Sequence, residues 1–327
     1  MEKYWATAPS NIALIKYMGK SAHNKPLNSS LSYTLERFRS YVEVTPISDA
    51  EDYWEPLSLE EITGLYREGI LPDDMGTVSY AQQNYGEAEQ KIFLKQCHRL
   101  REFYRSEQKF KVKSFNGFPA SCGLASSASS FAALTMALDQ AFGGQNKNNP
   151  LQLSEYSRLA SGSSCRSFFS PWTLWNSEGV SRPEGLPNSF WHHVVVVSEE
   201  SKKVSSSEAH QRVQSSLNFS HRQERAEKRL VSLMGALMDN QWARACEIAW
   251  AEFWDMHTLF ETSAPPFGYI NDLSMEVLQI VRSYWEREGD GPLVTMDAGP
   301  NVHLLFREDQ EEDRWDLLEK LSSYKIL

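Results

Sequence analysis

The run FPASCGLASSASSFAAL, residues 118–134, constrains the fold more than any other stretch. It follows the β-prone run FKVKSF at 110–115 and opens a small-residue helix predicted over 125–142, stopped by Gly143 and Gly144. A strand, a loop of small residues and a helix must therefore form one local unit. The start of such a helix leaves backbone N–H groups unpaired, and the positive end of the helix dipole adds to their pull on an anion. Glycine and serine let a phosphate approach the backbone closely. Ser126 and Ser127 can add hydroxyl donors or bind a metal. The GxxxxGK[ST] pattern is absent, so this is not a Walker loop. On composition alone, a phosphate loop and a well-capped buried helix stand about level.

The rest of the chain sets the fold class. Residues 1–45 read as mostly extended, with alternation in YVEV at 41–44. Residues 46–85 are acidic and irregular and read as a surface insertion holding one short helix. Apolar spacing predicts a helix over 87–105. LSEYSRLASGSS reads as a helix running into a second Ser/Gly loop. FWHHVVVVS at 190–198 is a buried strand. Helices follow near 208–218, 222–238, 241–257, 273–287 and 311–323. LVTMDAGPNVHLLF at 293–306 reads as two strands joined by a turn. Strands and helices mixed, then mostly helices, then a hairpin point to a two-lobed α+β architecture. A length of 327 residues suits one large or two joined domains, here drawn as 1–188 and 189–327.

Charge and cysteine usage narrow the function. A net charge of −10 argues against a nucleic-acid partner while leaving room for a local basic pocket. Cys97, Cys122, Cys165 and Cys246 form no CxxC pair and no Cys/His cluster, so reduced thiols in a cytoplasmic protein are expected. No window has the roughly 18 apolar residues of a membrane span, and the first residues do not read as a signal peptide.

Three further stretches carry chemistry. SGSSCRS at 161–167 offers hydroxyls at Ser161, Ser163 and Ser164 and the planar fork of Arg166, which suits carboxylate or phosphate. NIALIKYMGK at 11–20 sets Lys16 inside an apolar run, with Tyr17 and Lys20 nearby. Such a lysine either snorkels to solvent or faces a polar pocket. In MDAGPN, Asp297 ends a strand before a Gly-Pro turn, as a turn-former or as a carboxylate at a pocket mouth. Taken singly, each has a bland reading: a polar loop, a solvated lysine, a turn. His192 and His193 begin a strand without a third ligand, so metal binding is not expected. Trp242, Trp250 and Trp254 recur at helical spacing, as core residues do.

Together the stretches resemble one family. APSNIALIKYMGK, PLNSSLSYTL, GFPASCGLASSASSFAAL, SRLASGSSCRS, KKVSSSEAH, HTLFETSAPPFGYIND and MDAGPNVHLL fall in the order seen in the diphosphomevalonate decarboxylases of the GHMP kinase superfamily, across residues 8–305. The resemblance implies a GHMP kinase fold: an N-terminal lobe like ribosomal protein S5 domain 2, a ferredoxin-like C-terminal lobe, and an active site in the cleft between. It implies an enzyme that phosphorylates the tertiary 3-hydroxyl of mevalonate 5-diphosphate from ATP, with Mg²⁺, and then loses phosphate and CO₂ to give isopentenyl diphosphate. By the same resemblance Asp297 orients or deprotonates the hydroxyl, Lys16 steadies it, and Arg166 holds the substrate carboxylate. Tyr17, Lys20, Ser161, Ser163, Ser205 and Ser206 would contact the substrate. Gly123, Leu124, Ala125, Ser126 and Ser127 would cradle the ATP phosphates, with Ser127 a candidate ligand to Mg²⁺. A homodimer is common in the family.

The chain also departs from the family pattern. Met18 stands where tryptophan is usual, SAHNKPLN is short and lacks an acidic pair, and Ser170-Pro171 replaces a Gly-Gly pair. Residues 46–85 run longer than expected. Two alternatives therefore stay open: a sister kinase acting on mevalonate or its monophosphate, and a non-catalytic nucleotide-binding paralogue.

Overall fold

A computed structural model describes residues 2–69, 87–118, 124, 126–146, 148–200 and 202–327. Residues 70–85 of the expected insertion, together with Cys122, Gly123 and Ala125, lie outside the described residues. By its internal contacts the chain divides into two units. The first takes Met1–Asn11, Thr34–Ala120 and Leu124–Ser170; the second includes Ile12–Tyr33 and Pro171–Leu327. Strands β1 (Tyr4–Ile15) and β2 (Ser30–Ile47) contribute residues to both.

In the first unit, β2 is followed by β3 (Tyr53–Pro56), α1 (Leu59–Arg67), α2 (Glu87–Tyr104), β4 (Lys109–Asn116), α3 (Ser126–Ala141) and α4 (Pro150–Arg158). The β-branched and aromatic residues of β2 and β4 pair antiparallel from Ser40↔Asn116 to Ile47↔Lys109. β3 lies parallel on the other edge of β4. It is a strand inside the expected insertion, where only a helix was anticipated. Against this sheet α3 buries Ala128, Ala132, Ala133 and Ala137, small residues that let the helix approach closely. The core is completed by Val42, Val44, Phe93, Phe110, Val112 and Leu134. Pro150 starts α4, and the Asn149 side chain accepts the Gln152 N–H at 3.1 Å. The loop expected after α4 is instead a 3-10 turn, Gly162–Phe168. Serine hydroxyls wind it tightly: Ser164 bonds Ser157 at 2.6 Å and the Ser161 carbonyl at 2.7 Å.

In the second unit the chain forms β5 (Trp172–Asn176), β6 (Gly179–Ser181), β7 (Trp191–Val196), α5 (Ser206–Arg212), α6 (Arg222–Met238), α7 (Trp242–Glu261), α8 (Asp272–Glu288), β8 (Leu293–Thr295), β9 (Val302–Phe306), α9 (Glu311–Lys320) and β10 (Lys325–Ile326). The β5–β6 hairpin goes beyond the sequence reading, because three tryptophan- and glycine-rich residues per side carry little period. It pairs through β5 with residues 30–33 of β2. A second sheet has the order β10-β7-β9-β8. There the apolar run at β7 pairs antiparallel with β9, Trp191↔Phe306 to Val195↔Val302. The expected helix over 208–218 is shorter: α5 stops at Arg212 and a 3-10 turn, Val213–Ser215, follows. α8 carries a capping box between Asn271 and Ser274 and ends on Gly289 in the left-handed region. Phe253, Val277, Val281, Val294 and Phe306 form the core, with Trp250 and Trp254 packed on it. Among the described residues, no helix is long and apolar enough to cross a membrane.

Candidate active site

The second unit brings together the two residues that the sequence holds furthest apart. Lys16 is the first residue after β1, and Asp297 lies two residues past β8. The Thr295 hydroxyl donates to the Ala13 carbonyl at 3.2 Å, which ties these strand ends side by side. Lys16 Nζ then reaches Asp297 Oδ1 at 2.5 Å. The lysine side chain is 2% exposed and the aspartate 21%, so the carboxylate is the solvent-facing partner. An ammonium this buried resists charge unless an anion compensates it. The aspartate supplies that anion, and its side chain stays partly exposed. The solvated reading of Lys16 fails because its strand is core: Ile12, Leu14 and Ile15 are fully buried.

The residues around Lys16 fix the chain tightly. Gly19 has a φ of +85°, and a Cβ there would lie 2.7 Å from the Phe219 ring, so only glycine fits. The Tyr17 ring stacks on His210 at 4.6 Å and meets Trp175 edge-on at 4.7 Å. Met18 fills a buried cluster with Met256, Leu259 and Phe260, the place where a larger tryptophan was expected by resemblance. The short segment after Lys20 closes as a tight turn, with Ser21 N–H donating to the Lys25 carbonyl at 2.9 Å. Partial burial lowers the pKa of Lys20. Ser205 caps α5 by accepting the Glu208 N–H at 3.2 Å, and Ser206 is the exposed first residue of that helix.

Sequence reasoning missed several residues here. Lys202 stands just before the serine pair; burial lowers its pKa and the charge of Asp297 opposes that shift. It is a second ammonium in the field of the same carboxylate. The signal lay in KKVSSSEAH, where the sequence reading singled out only the serines. Asn28, inside PLNSSLSYTL, accepts the Met18 N–H at 3.1 Å and donates to the Lys16 carbonyl at 3.0 Å.

The first unit holds the other candidates. Arg166 is buried within the 3-10 turn, with Ser161 and Ser163 half-buried beside it and their hydroxyls 3.3 Å apart. The Asn11 amide donates to Ser167 at 2.9 Å and fixes the far end of that turn. Cys165 is buried and points its thiol at the Gly162 carbonyl; burial pushes its pKa up, which makes it inert packing. Leu124 is buried, and its carbonyl accepts the Ser10 hydroxyl. Ser126 and Ser127 open α3, the latter exposed. Beneath them Ser40, Asn116 and Ser130 form a buried hydroxyl–amide network, with Ser130 donating to Asn116 Oδ1 at 3.0 Å. Gly123 and Ala125 of the expected phosphate loop lie outside the described residues.

Among the described residues no cluster of three His, Cys, Asp or Glu side chains could hold a metal. Magnesium needs no such cluster: it commonly rides on nucleotide phosphates with few protein ligands. Exposed hydroxyls at the start of α3 fit that mode. His192, which begins β7, pairs with His303 of β9 at 3.0 Å.

Comparisons with known proteins place this geometry. Residues 8–182 match the family description "Diphosphomevalonate decarboxylase-like N-terminal domain", and residues 193–325 match "Mevalonate 5-diphosphate decarboxylase C-terminal domain". A diphosphomevalonate decarboxylase of Aspergillus fumigatus is 30% identical over 94% of this chain and 77% of its own length. The crystal structure of a mevalonate diphosphate decarboxylase from Legionella pneumophila is 40% identical, covers 100% of both chains and superposes with a TM-score of 0.86. A structure described as MDDEF in complex with MVAPP, AMPPCP and magnesium is 29% identical, covers 97% of this chain and 93% of its own, and gives a TM-score of 0.81.

Proposed function

Because this chain belongs to the diphosphomevalonate decarboxylase family, we propose that it converts mevalonate 5-diphosphate and ATP to isopentenyl diphosphate, ADP, phosphate and CO₂. The observation that carries the reading is the Lys16–Asp297 pair at 2.5 Å, with a buried lysine and a partly exposed carboxylate. A tertiary hydroxyl is a poor acid and a crowded nucleophile. Asp297 is an ionised acceptor for its proton, and Lys16 holds the carboxylate in place. As the hydroxyl oxygen bonds to the γ-phosphorus of ATP, the bond from that phosphorus to ADP breaks. In the second stage the C–O bond to the new phosphate and the C–C bond to the carboxylate break together. The electrons of the C–C bond become the alkene.

We assign Arg166 to the carboxylate, whose planar shape its guanidinium fork matches. Lys202 and Lys20 add positive charge for the phosphoryl groups, with Tyr17, Ser161, Ser163, Ser205 and Ser206 as further substrate contacts. The segment 123–127 would take the ATP phosphates at the positive end of α3. Ser126 and Ser127 would hold magnesium, which supplies charge neutralisation on those phosphates. The relative bound to AMPPCP, an ATP analogue, and to magnesium supports this assignment. Lobes of 1–188 and 189–327 accord with matches that end at 182 and begin at 193. The free thiols of Cys97, Cys165 and Cys246 support a reducing, cytoplasmic setting.

The decisive assay offers ATP with mevalonate 5-diphosphate or with the 5-phosphate and follows ADP and CO₂ together. Equal release of both from the diphosphate is expected. A product phosphorylated at the 3-position with no CO₂ would replace the decarboxylase with a kinase. Preference for the monophosphate would move the substrate.

A further inference from the structure

Helices α6 and α7 each hold a residue that no part of the chemistry uses, yet both residues touch the backbone of Lys16. Glu252 is 0% exposed. Its Oε1 accepts the Lys16 N–H at 2.9 Å. Arg222 of α6, also buried, donates to the Lys16 carbonyl at 2.6 Å and to Glu252 Oε2 at 3.0 Å. Both polar backbone groups of the lysine are therefore gripped by one charged cluster. Arg225, Arg229 and Asp255 complete it: Arg229 donates to Glu252 at 3.1 Å and to Asp255 at 2.6 Å, Arg222 donates to Asp255 at 2.9 Å, and Arg225 donates to Asp255 at 2.8 Å.

Taking a carboxylate and a guanidinium fully out of water costs several kcal/mol per ion, and apolar residues of the same size often serve stability as well or better. Stability alone is thus a weak reason for this cluster. Geometry is a better one. Lys16 lies just beyond the last residue of β1 and Asp297 just beyond β8, so neither has the full ladder of a strand to fix it. The second unit instead anchors the lysine, and through it the ion pair, from two packed helices.

We propose that Glu252 and Arg222 are positioning residues, which hold Lys16 in register with Asp297 for proton transfer from the substrate hydroxyl. The inference rests on the catalytic reading of that pair. Neither residue touches substrate; each acts through a backbone group of its partner.

The test compares steady-state kinetics of the full chain with ATP and mevalonate 5-diphosphate, at a temperature well below each variant's melting point. Glu252→Met removes the acceptor of the Lys16 N–H. It should lower kcat about 10- to 100-fold, the cost of a displacement near 1 Å, with both KM values within about threefold. Its kcat–pH profile should shift, because the carboxylate no longer sits against the ammonium. Glu252→Gln keeps an amide oxygen for that N–H and should recover most of kcat. Arg222→Met removes the donor to the Lys16 carbonyl and should lower kcat in the same KM-independent way. It decides the matter if Glu252→Met does not fold. Val281→Ala, in the α8 core, should lower the melting point and leave kcat and its pH profile alone. Variants of Glu252 and Arg222 that fold and keep kcat within about threefold overturn the proposal. So does an equal loss of kcat in Val281→Ala. Asp297→Asn, run alongside, separates the two ideas: if it keeps full turnover, the catalytic reading of the pair fails instead.

Discussion

Replacing Asp297 by asparagine separates the chemistry of the pair from its contribution to stability. The change keeps shape and one oxygen and removes one charge. At 2.5 Å from Lys16 Nζ, the gross attraction is on the order of 7 kcal/mol for an effective dielectric near 20. Most of that offsets the desolvation of a lysine only 2% exposed. The aspartate is 21% exposed, and solvent screening discounts the pair further. A net loss of about 1–3 kcal/mol in stability follows, which leaves a domain of this size folded at 25 °C. The kinetic loss should be larger. A positioned base contributes about 10²–10⁴-fold, equivalent to about 3–5 kcal/mol of barrier. Coupled ADP release under saturating substrate, read beside CO₂, gives kcat; calorimetry with an ATP analogue gives nucleotide affinity. Turnover should fall at least 100-fold while affinity changes less than about threefold. Turnover within a few-fold of the parent would show that Asp297 neither takes nor orients the proton. A parallel loss of nucleotide affinity would show that it is a binding residue.

Other outcomes follow from the same geometry. Arg166→Gln should reduce kcat about 10- to 1000-fold with nucleotide affinity retained, measured in the same two assays; an unchanged kcat refutes its assignment to the substrate carboxylate. Gly19→Ala should destabilise by about 1–3 kcal/mol in urea unfolding, because its φ of +85° and the Phe219 ring at 2.7 Å leave no place for a Cβ. Burial holds His257 at a pKa of about 3 and His303 at about 4, against an ordinary 6.5. Each is depressed in the folded chain, so below pH 6.5 the unfolded chain binds protons that the folded one refuses, and stability falls as pH falls. From pH 6.5 to 5 this amounts to about 2 kcal/mol per histidine. Urea midpoints at the two pH values measure it, and His303→Gln should remove about half of the histidine share of the slope.

What could be read from the sequence was local. The start of α3, the serine-wound turn after α4 and the chain reversal between β8 and β9 each depend on a few neighbouring residues, so residue type and spacing suffice. Helices with a clear apolar period, α6 and α8 among them, were legible for the same reason. The β5–β6 hairpin and β3 were not, because such short strands borrow their stability from neighbours that the local sequence does not name. Charges on amphipathic helices mislead in the same way. Arg222, Glu252 and Asp255 have the spacing of a solvated face, and only the packing of α6 against α7 shows them buried around the backbone of Lys16. Lys16 and Asp297 are 281 residues apart. The sequence by itself determined that a lysine would sit in an apolar strand end and an aspartate at a turn. Tertiary structure alone decided that they meet, because an ion pair depends on distance in space, and that distance is set by how β1 and β8 are joined.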